Sequence, residues 1–235
     1  MSHDNRIESI AFLLFPGVTQ LDLTGPAQVL SRLPGARVHL VWEGLDPVPT
    51  DAGFSILPTT RFADLPHPDL LCIPGGMGIT DVINNDAALG WVQQAGADAK
   101  WVTSVCTGAL ILGAAGLLQN YSATTHWAWH EHLALFGALP VHARSVVDRN
   151  RMTGGGVTAG IDFALALVAR LAGDDVARTI QLALEYDPAP PLDAGSPDKA
   201  GAEIVANYKA RADRLAPNRV ADLKAAAARL GFNAL

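Results

Sequence analysis

Short apolar runs that stop at Pro or Gly alternate along this chain with segments of helical spacing, and no other feature restricts its fold so tightly. Ile10-Ala-Phe-Leu-Leu-Phe15 ends at Pro16, Leu70-Leu-Cys-Ile73 ends at Pro74-Gly-Gly76, and Trp101–Val105 runs straight into small residues. A strand apolar at every position needs cover on both faces, as in a parallel sheet built from βα units. The spacing predicts a first helix from near Thr24 to Pro34-Gly35, with Pro26 early in its first turn, and a second strand over 38–42. Residues 51–69 are Pro-broken and partly alternating, which predicts a small antiparallel excursion. Further helices are expected over 86–98, 107–118, 158–171 and 175–186, with a less regular one over 127–136 and a strand pair at 144–147 and 152–153.

Asp187-Pro-Ala-Pro-Pro-Leu-Asp-Ala-Gly-Ser-Pro197 cannot continue a helix, because proline removes a donor and restricts the residue before it. Beyond it, 199–215 and 219–230 are Ala-rich and helical in spacing, yet too poor in large apolar residues to form a core alone. The expected organisation is an α/β domain over 1–190 and a C-terminal helical extension over 191–235 that packs on the domain or on a second subunit. There is no internal repeat. Hydrophobic residues make up 49% of 235, enough for a full core, and a net charge of -6 leaves no basic face to collect phosphates. Nucleic acid and membrane are therefore not expected partners, and a small molecule is. Polar residues 1–8 followed by only a short apolar run predict neither a secretory signal nor a membrane span. Two cysteines, Cys72 and Cys106, do not make a disulfide framework, and the expected setting is the reducing cytoplasm.

Ser104-Val-Cys-Thr-Gly108 sits where a strand turns directly into a helix, with the spacing of a nucleophile elbow and Cys106 at its apex. Such a turn is expected to expose its central side chain, and a helix N-terminus beside a thiol favours the thiolate near neutral pH. The alternative is an inert buried cysteine, which Cys72 in mid-strand fits. Asp22, in Gln20-Leu-Asp-Leu-Thr-Gly-Pro26, follows the first strand. In a parallel sheet its loop shares an edge with the elbow, so its carboxyl either trades protons there or caps the helix. Pro74-Gly-Gly-Met-Gly78 could form an oxyanion hole or only a tight turn. Gly154-Gly-Gly-Val-Thr-Ala159 matches the dinucleotide fingerprint formally, but comes too late in the chain for a cofactor. Its Val157 amide is instead a donor for an anion. His126-Trp-Ala-Trp-His-Glu-His132 lacks the H-E-x-x-H order, so no metal is expected. His126 either lines the cysteine pocket as a base or donates a hydrogen bond to backbone.

At these residues the sequence resembles the DJ-1/PfpI superfamily, and within it the bacterial isocyanide hydratases. The motifs extend over nearly the whole chain: Phe12-Leu-Leu-Phe-Pro16, Gln20 to Pro26, Ile73-Pro-Gly-Gly76, Val102 to Gly108, Ala123-Thr-Thr-His-Trp127, Thr153-Gly-Gly-Gly156 and Thr158-Ala-Gly-Ile-Asp162, together with Leu184-Glu-Tyr-Asp-Pro-Ala-Pro-Pro191. The resemblance implies a flavodoxin-like, class I glutamine amidotransferase-like α/β sandwich, a homodimer and no cofactor. It also implies hydration of an isocyanide to an N-substituted formamide. Cys106 would attack to give a thioimidate, Asp22 would serve as general acid and base, and Thr107, Gly76 and Val157 would hold thiolate or substrate. Two other readings follow from the same superfamily, a cysteine redox sensor and a glyoxalase or deglycase. Asp22 stands where many DJ-1-like proteins carry a Glu, which weakens the glyoxalase reading. Ligand domains of transcriptional regulators also resemble the chain, but they are followed by a helix-turn-helix domain for which 199–235 offers no recognisable turn.

Overall fold

The computed structural model describes residues 6–232, so residues 1–5 of the polar N-terminal stretch and 233–235 of the extension lie outside the described residues. The strands are β1 (Ser9–Leu13), β2 (Arg37–Trp42), β3 (Val48–Pro49), β4 (Ser55–Ile56), β5 (Thr60–Arg61), β6 (Leu70–Ile73), β7 (Trp101–Val105), β8 (Ser122–Ala123), β9 (Leu139–Pro140), β10 (Ser145–Asp148) and β11 (Arg151–Gly154). Seven of them form one sheet in the order β10-β11-β7-β6-β1-β2-β5, parallel throughout except for the β10–β11 hairpin. The apolar runs lie at its centre: β6 and nearly all of β1 are buried, and Phe12, Phe15 and Ile73 are among the largest fully buried side chains. This is the expected flavodoxin-like architecture.

The helices are α1 (Gln20–Leu30), α2 (Ile79–Ile83), α3 (Asp86–Asp98), α4 (Gly108–Ala114), α5 (Ala159–Ala172), α6 (Asp174–Ala183), α7 (Pro197–Ala200), α8 (Ala202–Leu215) and α9 (Arg219–Arg229). They gather into two packed groups, α1 with α5 and α6, and α2 with α3, α4 and α9. α1 begins at Gln20 rather than near Thr24, so Pro26 lies in its second turn instead of its first. An interior proline forfeits one helical hydrogen bond. Close packing offsets the loss: a β-carbon on Gly160 of α5 would stand 3.0 Å from the Pro26 ring, and one on Gly25 would stand 3.3 Å from Ile161.

Three further differences have local causes. The antiparallel excursion is confined to β3 and β4, while β5 joins the main sheet as a parallel edge strand too short to pattern visibly. α4 is shorter than expected, because Gly116 turns left-handed at φ +74. Residues Trp127–Phe136 form a 3-10 segment rather than an α-helix, closed by Gly137 at φ +69.

The strand order places the site. The chain leaves β1 outward to β2 and β5, then returns to β6 on the other side of β1. In open α/β sheets the crevice at such a reversal, beyond the carboxyl ends of the strands, is where ligands bind. Here the loops after β1 and β6 clasp each other, with Thr19 N–H donating to Gly75 O at 2.9 Å and Met77 N–H to Gly17 O at 2.9 Å.

Candidate active site

Cys106 follows the last residue of β7 in the left-handed region, φ +55, a conformation that its β-carbon disfavours. Neighbouring backbone holds it there. Its N–H donates to Gly155 O at 2.7 Å and Gly154 O at 3.1 Å, and its carbonyl accepts the Thr125 hydroxyl at 2.6 Å. The next turn needs Gly108, since a β-carbon there would lie 2.0 Å from Ile73 O. The elbow expected from the sequence is thus formed, but its side chain is not exposed: Cys106 is only 6% accessible.

Asp22 is fully buried in the first turn of α1, whose N-cap is Thr19, so the capping alternative does not apply. Its Oδ2 accepts the Gly75 N–H at 3.0 Å, its Oδ1 is buried without a hydrogen-bond partner, and the carboxyl lies near enough to the Cys106 thiol for each group to shift the other's protonation. Burial pushes the Asp22 pKa from 3.8 up to about 7, against the opposing pull of the Gly75 amide and the thiol, with the charge of Asp51 adding a further rise. Burial, and then the Asp22 charge, raise the Cys106 thiol well above its ordinary 9.0, while the Thr107 amide and hydroxyl pull it down. The sequence-based expectation of a free-standing thiolate near neutrality is corrected accordingly, because desolvation outweighs the end of a seven-residue helix. Instead the thiol and carboxyl form a coupled pair. Cys72 is fully buried with its pKa pushed up to about 12, which suits an inert core thiol.

The remaining expected residues divide. Thr107 Oγ1 accepts the Gly76 N–H at 3.1 Å, so the Gly76 amide, expected to face thiolate or substrate, secures Thr107 instead. Gly75 must be glycine, as a β-carbon would stand 2.6 Å from Thr107 N and Oγ1 and 2.9 Å from Asp22 Oδ2. Val157 and His126 line a cavity of about 430 Å³ that reaches the elbow only through Thr125 and Gly155. His126 does not donate to backbone: its Nδ1 accepts the Ala128 N–H at 3.3 Å, which places the ring proton on Nε2, 3.4 Å from the Tyr208 hydroxyl. Burial and the Arg219 charge lower its pKa to about 4, so the ring is neutral at neutral pH with its accepting nitrogen occupied. Of the two tryptophans, Trp127 packs on Tyr208 at 5.0 Å between ring centroids, and Trp129 lies beneath Arg219.

Arg219 and Tyr208 belong to the C-terminal extension and were not expected at the site. Both feel the charge of Cys106. In the sequence they are one Arg and one Tyr in polar, Ala-rich helices, with no pattern that marks them as neighbours of the cysteine.

Comparison with known proteins agrees with this fold. The family model described as "DJ-1/PfpI family" matches residues 8–170, well over half of the chain. The chain belongs to the DJ-1/PfpI family. Within that family, an isonitrile hydratase of Pseudomonas putida is 52% identical over 95% of this chain and 98% of its own length. A THiJ/PfpI family protein from Pseudomonas syringae has the same fold at a TM-score of 0.88, with 43% identity over 94% of this chain and 91% of that one. The HTH-type transcriptional regulator GbdR of Pseudomonas aeruginosa is 30% identical over 77% of this chain, which matches only 51% of the regulator. Among the described residues no helix is long and apolar enough to cross a membrane.

Proposed function

We infer that this chain is an isocyanide hydratase that converts R–N≡C and water to R–NH–CHO, with Cys106 as nucleophile and Asp22 as the single proton carrier. The observation that carries the reading is the burial of Asp22 beside the Cys106 elbow, with one carboxyl oxygen held by the Gly75 amide, the other without a hydrogen-bond partner, and a pKa of about 7. Extensive identity to a protein named isonitrile hydratase supports the choice of substrate.

The terminal carbon of an isocyanide accepts a soft nucleophile when a proton reaches the adduct. Asp22 takes the thiol proton as sulfur attacks, then delivers it to that carbon, giving the thioimidate R–N=CH–S. A water next loses a proton to Asp22 as its oxygen adds to the same carbon, and the proton passes to nitrogen. Collapse of the adduct breaks the C–S bond, forms the formamide C=O, and returns the hydroxyl proton through Asp22 to sulfur. One carboxyl serves each step because its protonation state alternates, and a pKa near 7 makes both states accessible. Thr107 stabilises the sulfur through its amide and hydroxyl.

The α/β domain of 1–190 with its extension, a homodimer and a cytoplasmic setting complete the reading. A redox-sensor role is less well supported, since oxidation follows thiolate character and this thiol is held protonated. The test is formamide production from an aryl isocyanide by wild type and Cys106→Ala, with mass spectra of the protein. Turnover and a wild-type adduct, both lost in the variant, are expected; turnover retained without Cys106 would overturn the mechanism.

A further inference from the structure

The extension brings to the cysteine a buried cation that the mechanism above leaves without a task. Arg219, the first residue of α9, is 4% exposed, and among the described residues no carboxylate lies within 4.0 Å of it. Its Nη2 donates to Met77 O at 3.0 Å and to Gly76 O at 3.4 Å. The guanidinium lies 4.7 Å over the Trp129 ring, and Nε is buried with no hydrogen-bond partner. Burying an unpaired cation is costly, and proteins retain buried charges where an anion or a ring offsets them. Trp129 supplies part of the offset, but a ring carries no net charge.

We propose that Arg219 is a positioning residue for the hydration reaction, holding through the Gly76 and Met77 carbonyls the turn whose amides fix Asp22 and Thr107 beside Cys106. The proposal rests on reading Cys106 as the nucleophile. The turn is the one whose amides fix the two groups beside sulfur, Gly75 to Asp22 and Gly76 to Thr107, so one side chain governs both partners. Releasing the turn would free both partners at once, since the Gly75 amide holds the Asp22 carboxyl down and Thr107 holds the Cys106 thiol down, so both titrations would move to higher pH. The titratable and charged groups around the sulfur are Asp22 on α1, with Asp51 behind it, Tyr208 on α8 and Arg219 on α9, with neutral His126 at the start of the 3-10 segment.

The test is the pH dependence of Cys106 alkylation by iodoacetamide, located by peptide mass spectrometry, in wild type, Arg219→Met and Arg219→Lys. Arg219→Met is expected to shift the alkylation midpoint to higher pH and slow the reaction at pH 7.5 about tenfold, because a released turn no longer fixes Thr107, whose amide and hydroxyl pull the Cys106 thiol down. Arg219→Lys, which keeps a donor for Met77 O but not the fork, is expected to shift the midpoint less than Met. An unchanged midpoint in Arg219→Met would overturn the proposal. If the Met variant does not fold, Arg219→Gln, neutral yet able to donate to Met77 O, is compared with Arg219→Lys: similar small shifts in the two are expected, and no shift in either would overturn the proposal. Alkylation needs no isocyanide, so failure of the hydratase reading shows as absent turnover in wild type, independently of this profile.

Discussion

Asp22 illustrates how one buried group ties stability to activity. Its folded pKa of about 7 lies above the ordinary 3.8, so the folded protein binds the extra proton. The contribution of Asp22 to stability is therefore complete below about pH 4 and is lost as pH rises through 7, a displacement worth roughly 4 kcal/mol at alkaline pH. Asp22→Asn keeps an acceptor for the Gly75 amide and cannot ionise, so it should melt at a higher temperature than wild type at pH 8.5 and show little difference at pH 4. A lower melting temperature for the variant at pH 8.5 would contradict the burial argument. The same pair sets the activity profile. The reactive state holds one proton between Asp22 and Cys106, so kcat/KM should rise through pH 7 and stay high to about pH 9. In Asp22→Asn any residual rate should rise only with deprotonation of the thiol itself, well above pH 9, and a profile still centred near 7 would assign the titration elsewhere. At this scale the sequence disclosed the two candidate residues but not their protonation. A cysteine at a strand-to-helix apex and an aspartate after β1 were legible from type and position, whereas their pKa values come from desolvation, which no local pattern encodes.

Between elements, backbone contacts set the geometry around the sulfur. The β1 and β6 loops and the β7 elbow approach so closely that Gly75 and Gly108 have no room for a β-carbon. Gly108→Ala, with its methyl 2.0 Å from Ile73 O, should destabilise the protein by about 2 kcal/mol or more, measured by urea denaturation. By contrast Gly90→Ala on α3, where nothing lies within 4 Å, should be neutral or stabilising by up to about 1 kcal/mol. Sequence pattern located most of the sheet because uninterrupted apolar runs report two-sided burial. It misplaced the start of α1, since Pro26 signals a first helical turn locally and only the contact with Gly160 makes it tolerable in the second. The Gly-rich run after β6 was legible as a donor-bearing loop, but which amide served which partner was not, since that depends on where Asp22 and Thr107 arrive from other elements.

For the molecule as a whole, the extension matters most. α9 buries Leu223, Ala226 and Ala227 against the group formed by α2 and α4, while α8 reaches the site through Tyr208. Leu223→Ala should cost roughly 2–4 kcal/mol of stability, read as a lower urea midpoint, and lower turnover through the displacement of Arg219 on the same helix. A melting curve unchanged from wild type would mean that α9 is not docked in solution. Periodicity, apolar runs and short motifs, properties of neighbouring residues, determined by themselves the parallel α/β class, the elbow carrying Cys106 and the place of Asp22 soon after β1. Tertiary structure alone decided that Asp22 is buried beside the Cys106 elbow, that Gly75 and Gly76 donate to Asp22 and Thr107, and that Arg219, more than a hundred residues away in the chain, reaches the carbonyls of that turn. Those outcomes depend on desolvation and on distances between segments remote in sequence, which exist only once the chain has folded.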